Sequence, residues 1–503
     1  YNKWDSDKKE YFYDENNVLY DSASVTSDGT ITLGQLNYMR RWPSRLEIMS
    51  FVTPYGIGLD LGTEGKTWTF DVTDFTPILK GDKRMFLSRG GQNQEEMDIK
   101  FLFIKGTPTR EVLDIKQIWP TQQYQPNFSQ ILANDVYFPP VAFNTMDSAK
   151  SFKIRSAITG HGQQGEFTPR THFITANNQN FERSVWKICG KNPVYPQGGT
   201  WIYDRAGWCP GMATDLAEYE ITSITGGEAI SLDYGIANGD GDSRYIVNNQ
   251  LVSYGEYNYG YDLEIVDIME PSNKIAHALN NPMCINPKME VRNNGVNTVN
   301  SITIEYWVND ESNKRSFTWP CYLSTNVIEE INFPIDNSIW SSAVSGNSKF
   351  YAKIVAIDGN AGADEDASNN TYVSDFDFPE VYPGNFFLFY RTNKAASENQ
   401  IKIEDEWGTV VFQRDNHANS TTYRDTLNLG LGCYKLTIDD SGNDGMSFWA
   451  NSDGAGYFRL WEVGGSIFKT IQPDFGSQSI VNFTVVHALD VPEYKVDLGY
   501  QLY

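Results

Sequence analysis

Between Glu166 and Gly211 the chain gathers side chains that suit the hydrolysis of an amide. Glu166 precedes Thr168-Pro169-Arg170-Thr171-His172-Phe173-Ile174, and Tyr203-Asp204-Arg205-Ala206-Gly207-Trp208-Cys209-Pro210-Gly211 follows later. Adding water to an unactivated amide carbonyl sets three tasks. A base must take a proton from water, positive groups must stabilise the oxyanion, and a proton must reach the leaving nitrogen. Two carboxylates in different surroundings can divide the acid and base roles, because desolvation raises one pKa and a nearby guanidinium lowers the other. Arg205 suits either the oxyanion or Asp5 itself. Cys189 and Cys209 stand where one disulfide could tie the segment into a rigid pair of loops.

The rest of the chain must position these groups. Its 503 residues exceed what one hydrophobic core organises, so three or four domains of roughly 100–200 residues are expected. Gly 41, Tyr 29, Phe 28 and Trp 13 favour strands and turns over helices. A net charge of −24 repels phosphate backbones and anionic membrane surfaces, so nucleic acid is excluded as a general partner. Sugars and peptides stay open. The five cysteines include no CxxC pair, which argues against a zinc site and for the one or two disulfides of an exported β protein. No apolar run reaches the roughly 18 residues that would suggest a membrane span. Tyr1 is not a natural start, and the chain reads as a processed or truncated secreted or cell-surface protein.

Period-two alternation recurs along the chain and makes the expected fold class all-β. Trp68, Phe70 and Val72 share one face of 67–72, and Ile99, Phe101 and Phe103 share one face of 98–104. Helical spacing shows only as a turn or two near Arg110–Ile118. Residues 1–120 are therefore expected to form a first jelly roll or sandwich. Residues 121–270 form a second, opened by a Pro-containing extended linker over 119–150. Strands are expected at Phe152–Ile154 and Leu216–Ile224. Residues 280–378 suggest an immunoglobulin-like module, with Met289–Val291 and Ile302–Val308 joined by a tight Asn294-Gly295 turn. Residues 384–503 read as a further C-terminal β-sandwich. Proximity pairs Cys284 with Cys321, leaving Cys433 as a free thiol.

Four segments carry a resemblance. They are Arg170-Thr171-His172-Phe173-Ile174 with Asn177-Asn178; Asp204-Arg205-Ala206-Gly207-Trp208-Cys209-Pro210-Gly211-Met212-Ala213; Phe51-Val52-Thr53-Pro54-Tyr55-Gly56 leading to Phe70-Asp71-Val72-Thr73-Asp74-Phe75; and Gly106-Thr107-Pro108. Over about residues 1–265 the chain resembles the peptide-N-glycosidase F family, bacterial amidases that remove N-linked glycans from asparagine. The resemblance implies two packed eight-stranded jelly rolls with the active site between them. It also implies a catalytic aspartate in a Trp-Asp pair, here Trp4-Asp5, and a glutamate before Arg-Thr-His, here Glu166. Arg205 joins these two as the third catalytic residue. Trp4, His161 and Trp208 become the substrate-binding residues, with indole faces for sugar stacking. Arg170, His172 and a Cys189–Cys209 disulfide become structural. The expected partners are N-glycans and glycoproteins, alongside cell-surface or secretion-system components, with no metal and no cofactor.

The family pattern also breaks in places. Its second substrate-contacting glutamate falls on Ser88, an indole becomes Gly90, the arginine after Trp-Asp is Ser6, and His161 replaces an aromatic. Added length after Asp5 leaves room for an inserted hairpin around residues 8–30. A rival reading follows: a catalytically silent glycan- or surface-binding protein that kept the fold. A structural component of a surface or secretion assembly is a third. Residues 284–371 resemble adhesion-type immunoglobulin-like modules of bacterial secreted proteins, through Asn293-Asn294-Gly295, Trp319 and Asp366–Asn370. The two C-terminal modules would then be spacers, adhesion units or glycan-binding appendages. Asn238–Ser243 carries calcium-loop residues but lacks the closing glutamate. The acidic loop 363–366 reads as a solvated turn, with bound calcium as the alternative.

Overall fold

The computed structural model describes residues 7–26, 46–56, 65–88, 96–119, 137–237, 243–344 and 346–486, together with 59, 61, 90 and 135. The chain is nearly all β, and its ladders are antiparallel. Residues Tyr1–Leu46 are one compact unit and Glu47–Tyr503 another. In the first unit, strands β1 (Lys8–Tyr13) and β2 (Leu19–Val25) pair as a hairpin, within the stretch expected to hold an insertion.

In the second unit, three two-sheet sandwiches follow one another. The first uses β3 (Arg110–Gln117), β4 (Val141–Asn144), β5 (Ser151–His161), β6 (Arg170–Ala176), β7 (Gln179–Val185), β8 (Leu216–Ile221), β9 (Ala229–Ala237) and β10 (Arg244–Tyr257). Its sheets run β3-β10-β5-β8 and β4-β9-β6-β7. Alternation on β5 sends Phe152, Ile154 and Ile158 into a core shared with Ile174, Leu232 and Ile236 of the facing sheet. The β6–β7 hairpin turns at Asn177, whose φ of 50° suits asparagine.

The second sandwich pairs β11 (Leu263–Glu270), β12 (Lys288–Asn293) and β15 (Ile328–Asn332) in one sheet. The other sheet holds β13 (Val299–Val308), β14 (Arg315–Leu323), β16 (Ser348–Ile357), β17 (Asn360–Ala361) and β18 (Thr371–Phe376). The third sandwich sets β19 (Asn385–Arg391), β22 (Thr422–Asn428), β24 (Tyr457–Glu462) and β25 (Ile467–Ile471) against β20 (Asn399–Asp405), β21 (Val410–Arg414), β23 (Gly432–Asp440) and β26 (Gln478–Val485). Each has its own apolar core.

Several sequence expectations need correction. Residues 67–72 and 98–104 form no ladder, and Leu102, Phe103 and Ile104 are exposed. Alternation marks a strand only where a neighbour completes the ladder, and among the described residues none pairs with these. The 110–117 stretch is a strand on β10, not a helical turn. β12 and β13 do not form a hairpin. β12 pairs with β11 and β15, β13 with β14 and β16, and Asn294-Gly295 carries the chain from one sheet to the other. Asn293 braces that crossing by donating to the carbonyls of Asn297 and Leu323 and accepting from Gly295 N–H.

The second disulfide is Cys284–Cys433, spanning 149 positions, and the free thiol is Cys321. Sequence proximity misleads because Cys321 lies on β14, where its thiol reaches the Val299 carbonyl. Cys284, by contrast, lies against the Phe483 carbonyl on β26, beside Cys433 of β23.

Candidate active site

β5 ends at His161, and a single helical turn, α1 (Gln163–Glu166), follows through Gly162 at φ 77°. That turn places Glu166 at one end of the first sandwich, against the loop closed by Cys189–Cys209. The disulfide holds its two Cα atoms 5.5 Å apart. Backbone bonds clamp the loop to α1 and β5: Ala206 N–H donates to the Glu166 carbonyl at 2.9 Å, and Gly160 N–H to the Ala206 carbonyl at 2.9 Å. Lys187 and Arg205 exchange a bridge across the loop's base. Gly207 sits at φ 79°, where a Cβ would lie 2.1 Å from the Ile158 carbonyl oxygen, so only glycine fits.

Glu166 and Arg205 form the central ion pair, Arg205 Nε to Glu166 Oε1 at 3.0 Å. The Arg205 side chain is 1% exposed and that of Glu166 is 20% exposed. The remaining guanidinium donors reach the carbonyls of Thr200 (2.8 Å), Tyr203 (2.5 Å) and Trp201 (3.5 Å) and the Thr200 hydroxyl. Trp208 covers the guanidinium at 4.9 Å, with Phe167 at 5.4 Å and Tyr55 at 5.9 Å. With its donor directions filled by protein, Arg205 is a positioning residue for Glu166.

Trp208 and His161 form the neighbouring surface. The Trp208 indole N–H donates to the Gly160 carbonyl at 3.0 Å, and its ring stacks on His161 at 6.1 Å and 24°. His161 Nε2 meets the Thr159 hydroxyl at 2.9 Å. Burial and then the Arg244 charge lower the His161 pKa, which favours the neutral ring.

His172 lies in the sandwich core, away from this surface. Nδ1 meets the Tyr234 hydroxyl at 2.8 Å and the ring abuts Tyr245 edge-on at 4.7 Å. Burial, then Arg183 and Arg170, push its pKa down to about 3. Trp4 and Asp5 lie outside the described residues. Ser88 and Gly90 stand in chain without regular structure, and Ser88 is exposed.

The sequence reading missed four neighbours. Tyr55 enters from the 51–56 motif, which runs alongside 210–214 through Val52 N–H to the Met212 carbonyl and Gly211 N–H to the Val52 carbonyl. Pro54-Tyr55 within a matched motif was the available signal. Asp74, in the Phe70–Phe75 motif, is 6% exposed and bonds Arg155, Lys153 and Tyr254, tying that segment to β5 and β10. Burial alone would raise its pKa, but Lys153, Tyr254 and Arg155 together hold it below the usual range. From the third sandwich, Phe448 meets Tyr203 edge-on at 6.1 Å, and the Trp449 indole N–H donates to the Gly199 carbonyl at 2.7 Å.

Residues 127–253 match the family described as peptide-N-glycosidase F, C terminal. That match contains the whole Glu166–Arg205 cluster. Over this part of its length the chain is similar to peptide-N-glycosidase F proteins. The peptide-N(4)-(N-acetyl-beta-D-glucosaminyl)asparagine amidase F of Elizabethkingia miricola is 28% identical over 243 residues, covering 41% of this chain. The match spans 64% of that relative's length. Among solved structures, a recombinant peptide: N-glycanase F is 28% identical, with 23% of this chain and 43% of that one covered and a TM-score of 0.22. PNGF-II in a C2 space group is 20% identical, with 42% and 45% covered and a TM-score of 0.30. The likeness rests on the sequence match.

Proposed function

We propose that this chain hydrolyses the amide bond between an N-linked glycan and asparagine in glycoproteins or glycopeptides. The observation that carries the reading is the Glu166–Arg205 ion pair, held in a disulfide-closed loop inside the segment that matches the amidase family. Glu166 is the carboxylate with a partly open face. Arg205 fixes its rotamer from behind. Asp5 is the second carboxylate, on the strength of the Trp4-Asp5 motif. The pair would divide proton removal from water and proton delivery to the leaving nitrogen. Trp208 and His161 offer a flat, half-buried surface for a sugar face. Four domains near 1–120, 121–270, 280–378 and 384–503 are part of this reading, with β3 joining the second and β11 the third, which is read as immunoglobulin-like. Two disulfides fit an exported bacterial protein, and among the described residues no helix is long and apolar enough to cross a membrane.

The test incubates the chain with a denatured glycoprotein and a glycopeptide and follows Asn→Asp conversion and glycan release by mass spectrometry. Turnover lost in Glu166→Gln and in Asp5→Asn supports the amidase. Glycan binding without turnover in the parent chain would instead favour the silent binding protein suggested by Ser6, Ser88 and Gly90.

A further inference from the structure

At one end of the third sandwich, β20 and β23 bring three carboxylates together. Glu398, Asp440 and Asp444 each offer an oxygen, and these oxygens lie within 4.8 Å of one another. Asp440 is 3% exposed. The charges bearing on the trio are their own and that of Asp453. Such repulsion in a half-buried site costs free energy unless a cation offsets it.

A second observation points into the same place. Asn399, 2% exposed, donates from Nδ2 to Asp440 Oδ2 at 2.5 Å, so its amide lies against the cluster. Its carbonyl oxygen Oδ1 has no hydrogen-bond partner. A buried amide oxygen left unpaired costs about 1–3 kcal/mol, and oxygen is the donor that a hard cation takes. The backbone is also shaped to admit the carboxylates. A Cβ on Gly442 would lie 2.6 Å from Glu398 Oε2, so the turn after Asp440 closes directly over that carboxylate.

We propose that the third sandwich binds a divalent cation of calcium type through Glu398, Asp440 and Asp444, with the Asn399 amide oxygen beside them. Calcium accepts six to eight oxygens at about 2.3–2.6 Å, which sets opposing ligands roughly 4.6–5.2 Å apart. Magnesium needs about 2.0–2.1 Å and a tighter octahedron. Three carboxylates, one of them buried, supply charge in the quantity such an ion neutralises. The site also has a structural reach. The segment that begins at Asp440 and Asp444 continues to Phe448 and Trp449, which dock on the Cys189–Cys209 loop. Asn443 packs on Gly190 of that loop, where an added Cβ would lie 2.9 Å from Asn443 Cβ. Ion binding therefore orders the face on which the Arg205 loop rests.

The test uses the full chain and needs no amidase activity, so it stands or falls separately from the hydrolase reading. Protein stripped with a chelator is titrated with calcium chloride, and with magnesium chloride as control, by calorimetry and thermal unfolding. Hydrogen exchange is followed over 440–453 and 189–209. One calcium is expected to bind, with an unfolding temperature several degrees higher at roughly 10 mM calcium, a saturating level for weak protein sites. Exchange should slow in both segments. Glu398→Gln combined with Asp444→Asn should stay folded by circular dichroism and lose the calcium response. A parent chain that takes up no calcium, or a double variant that binds it as well as the parent, overturns the proposal.

Discussion

Replacing Arg205 by Met removes the charge and the hydrogen-bonding fork while keeping much of the stem's volume. The Glu166 carboxylate and the carbonyls of Thr200, Trp201 and Tyr203 then lose their donor together. Breaking a buried ion pair by removing one partner costs about 3–5 kcal/mol. Glu166 is 20% exposed and recovers some water, which lowers its share. Each orphaned carbonyl adds about 1 kcal/mol or less once the loop relaxes. A loss of about 4 kcal/mol follows for the first sandwich. Arg205→Lys keeps a charge but not the planar fork, so about half that cost is expected. Thermal unfolding reads the stability, and hydrogen exchange over 199–211 reads the loop. Both variants should also lower amide turnover through a misplaced Glu166, with kcat falling more than KM rises. A Met variant within about 1 kcal/mol of the parent, with unchanged exchange over 199–211, would refute the positioning role.

Other expectations follow from the same geometry. Gly207→Ala puts a Cβ 2.1 Å from the Ile158 carbonyl at a positive φ; it should lose about 2 kcal/mol or more, read as an earlier melting step. Opening Cys189–Cys209 by a double Ser substitution should cost about 3 kcal/mol for a 20-residue separation, and opening Cys284–Cys433 about 5 kcal/mol for 149. Burial pushes the Cys321 thiol up to about 11, so the native chain should alkylate slowly at pH 8, at one cysteine, as mass spectrometry counts it. His172, with its pKa depressed from 6.5 to about 3, stays neutral when folded, while the unfolded chain binds a proton below about 6.5. Its contribution is therefore present above pH 6.5 and lost as pH falls toward 3. His172→Phe should flatten the parent's acid-side loss of stability over that window.

The grouping of Glu166, Arg205 and Trp208 was legible because each residue lies in a segment whose backbone is tightly constrained. Gly207 and the disulfide leave little freedom for where the side chains between them point. Strand alternation was legible over 152–154 and 216–221 because neighbouring strands and a facing sheet complete each pattern. It misled at 98–104, where the same pattern has no ladder. The Asn294-Gly295 dipeptide misled differently. Its turn chemistry was read as a hairpin, but the strands on either side belong to opposite sheets, and local composition does not encode which sheet a strand joins. Cys433 could not be paired from spacing, since closing a longer loop adds entropy only slowly and proximity is a poor guide. The buried depth of Arg205 also escaped the sequence, because the carbonyls that fill its donors are backbone groups with no side-chain signature.

The appended modules behave unlike passive spacers. A spacer needs few contacts with the first sandwich, yet the third sandwich forms part of the wall behind the Arg205 loop. Trp201 is fully buried against Phe448, and its indole faces Asp474, whose pKa burial raises to about 6. Ser477 N–H donates to the Gly190 carbonyl, and a Cβ on Gly476 would strike that same oxygen at 2.3 Å. Contact that close needs glycine on both surfaces. Cys284–Cys433 then joins the second and third sandwiches covalently, so the third cannot diffuse away when its docking contacts open. Trp201→Ala empties a cavity at that joint and should cost about 3–5 kcal/mol. That cost would reach the candidate site through the carbonyls of Thr200, Trp201 and Tyr203 on which Arg205 depends. A module that held Glu166 in place only by tethering would show no such coupling, and turnover by the Trp201 variant would then match the parent once both are folded.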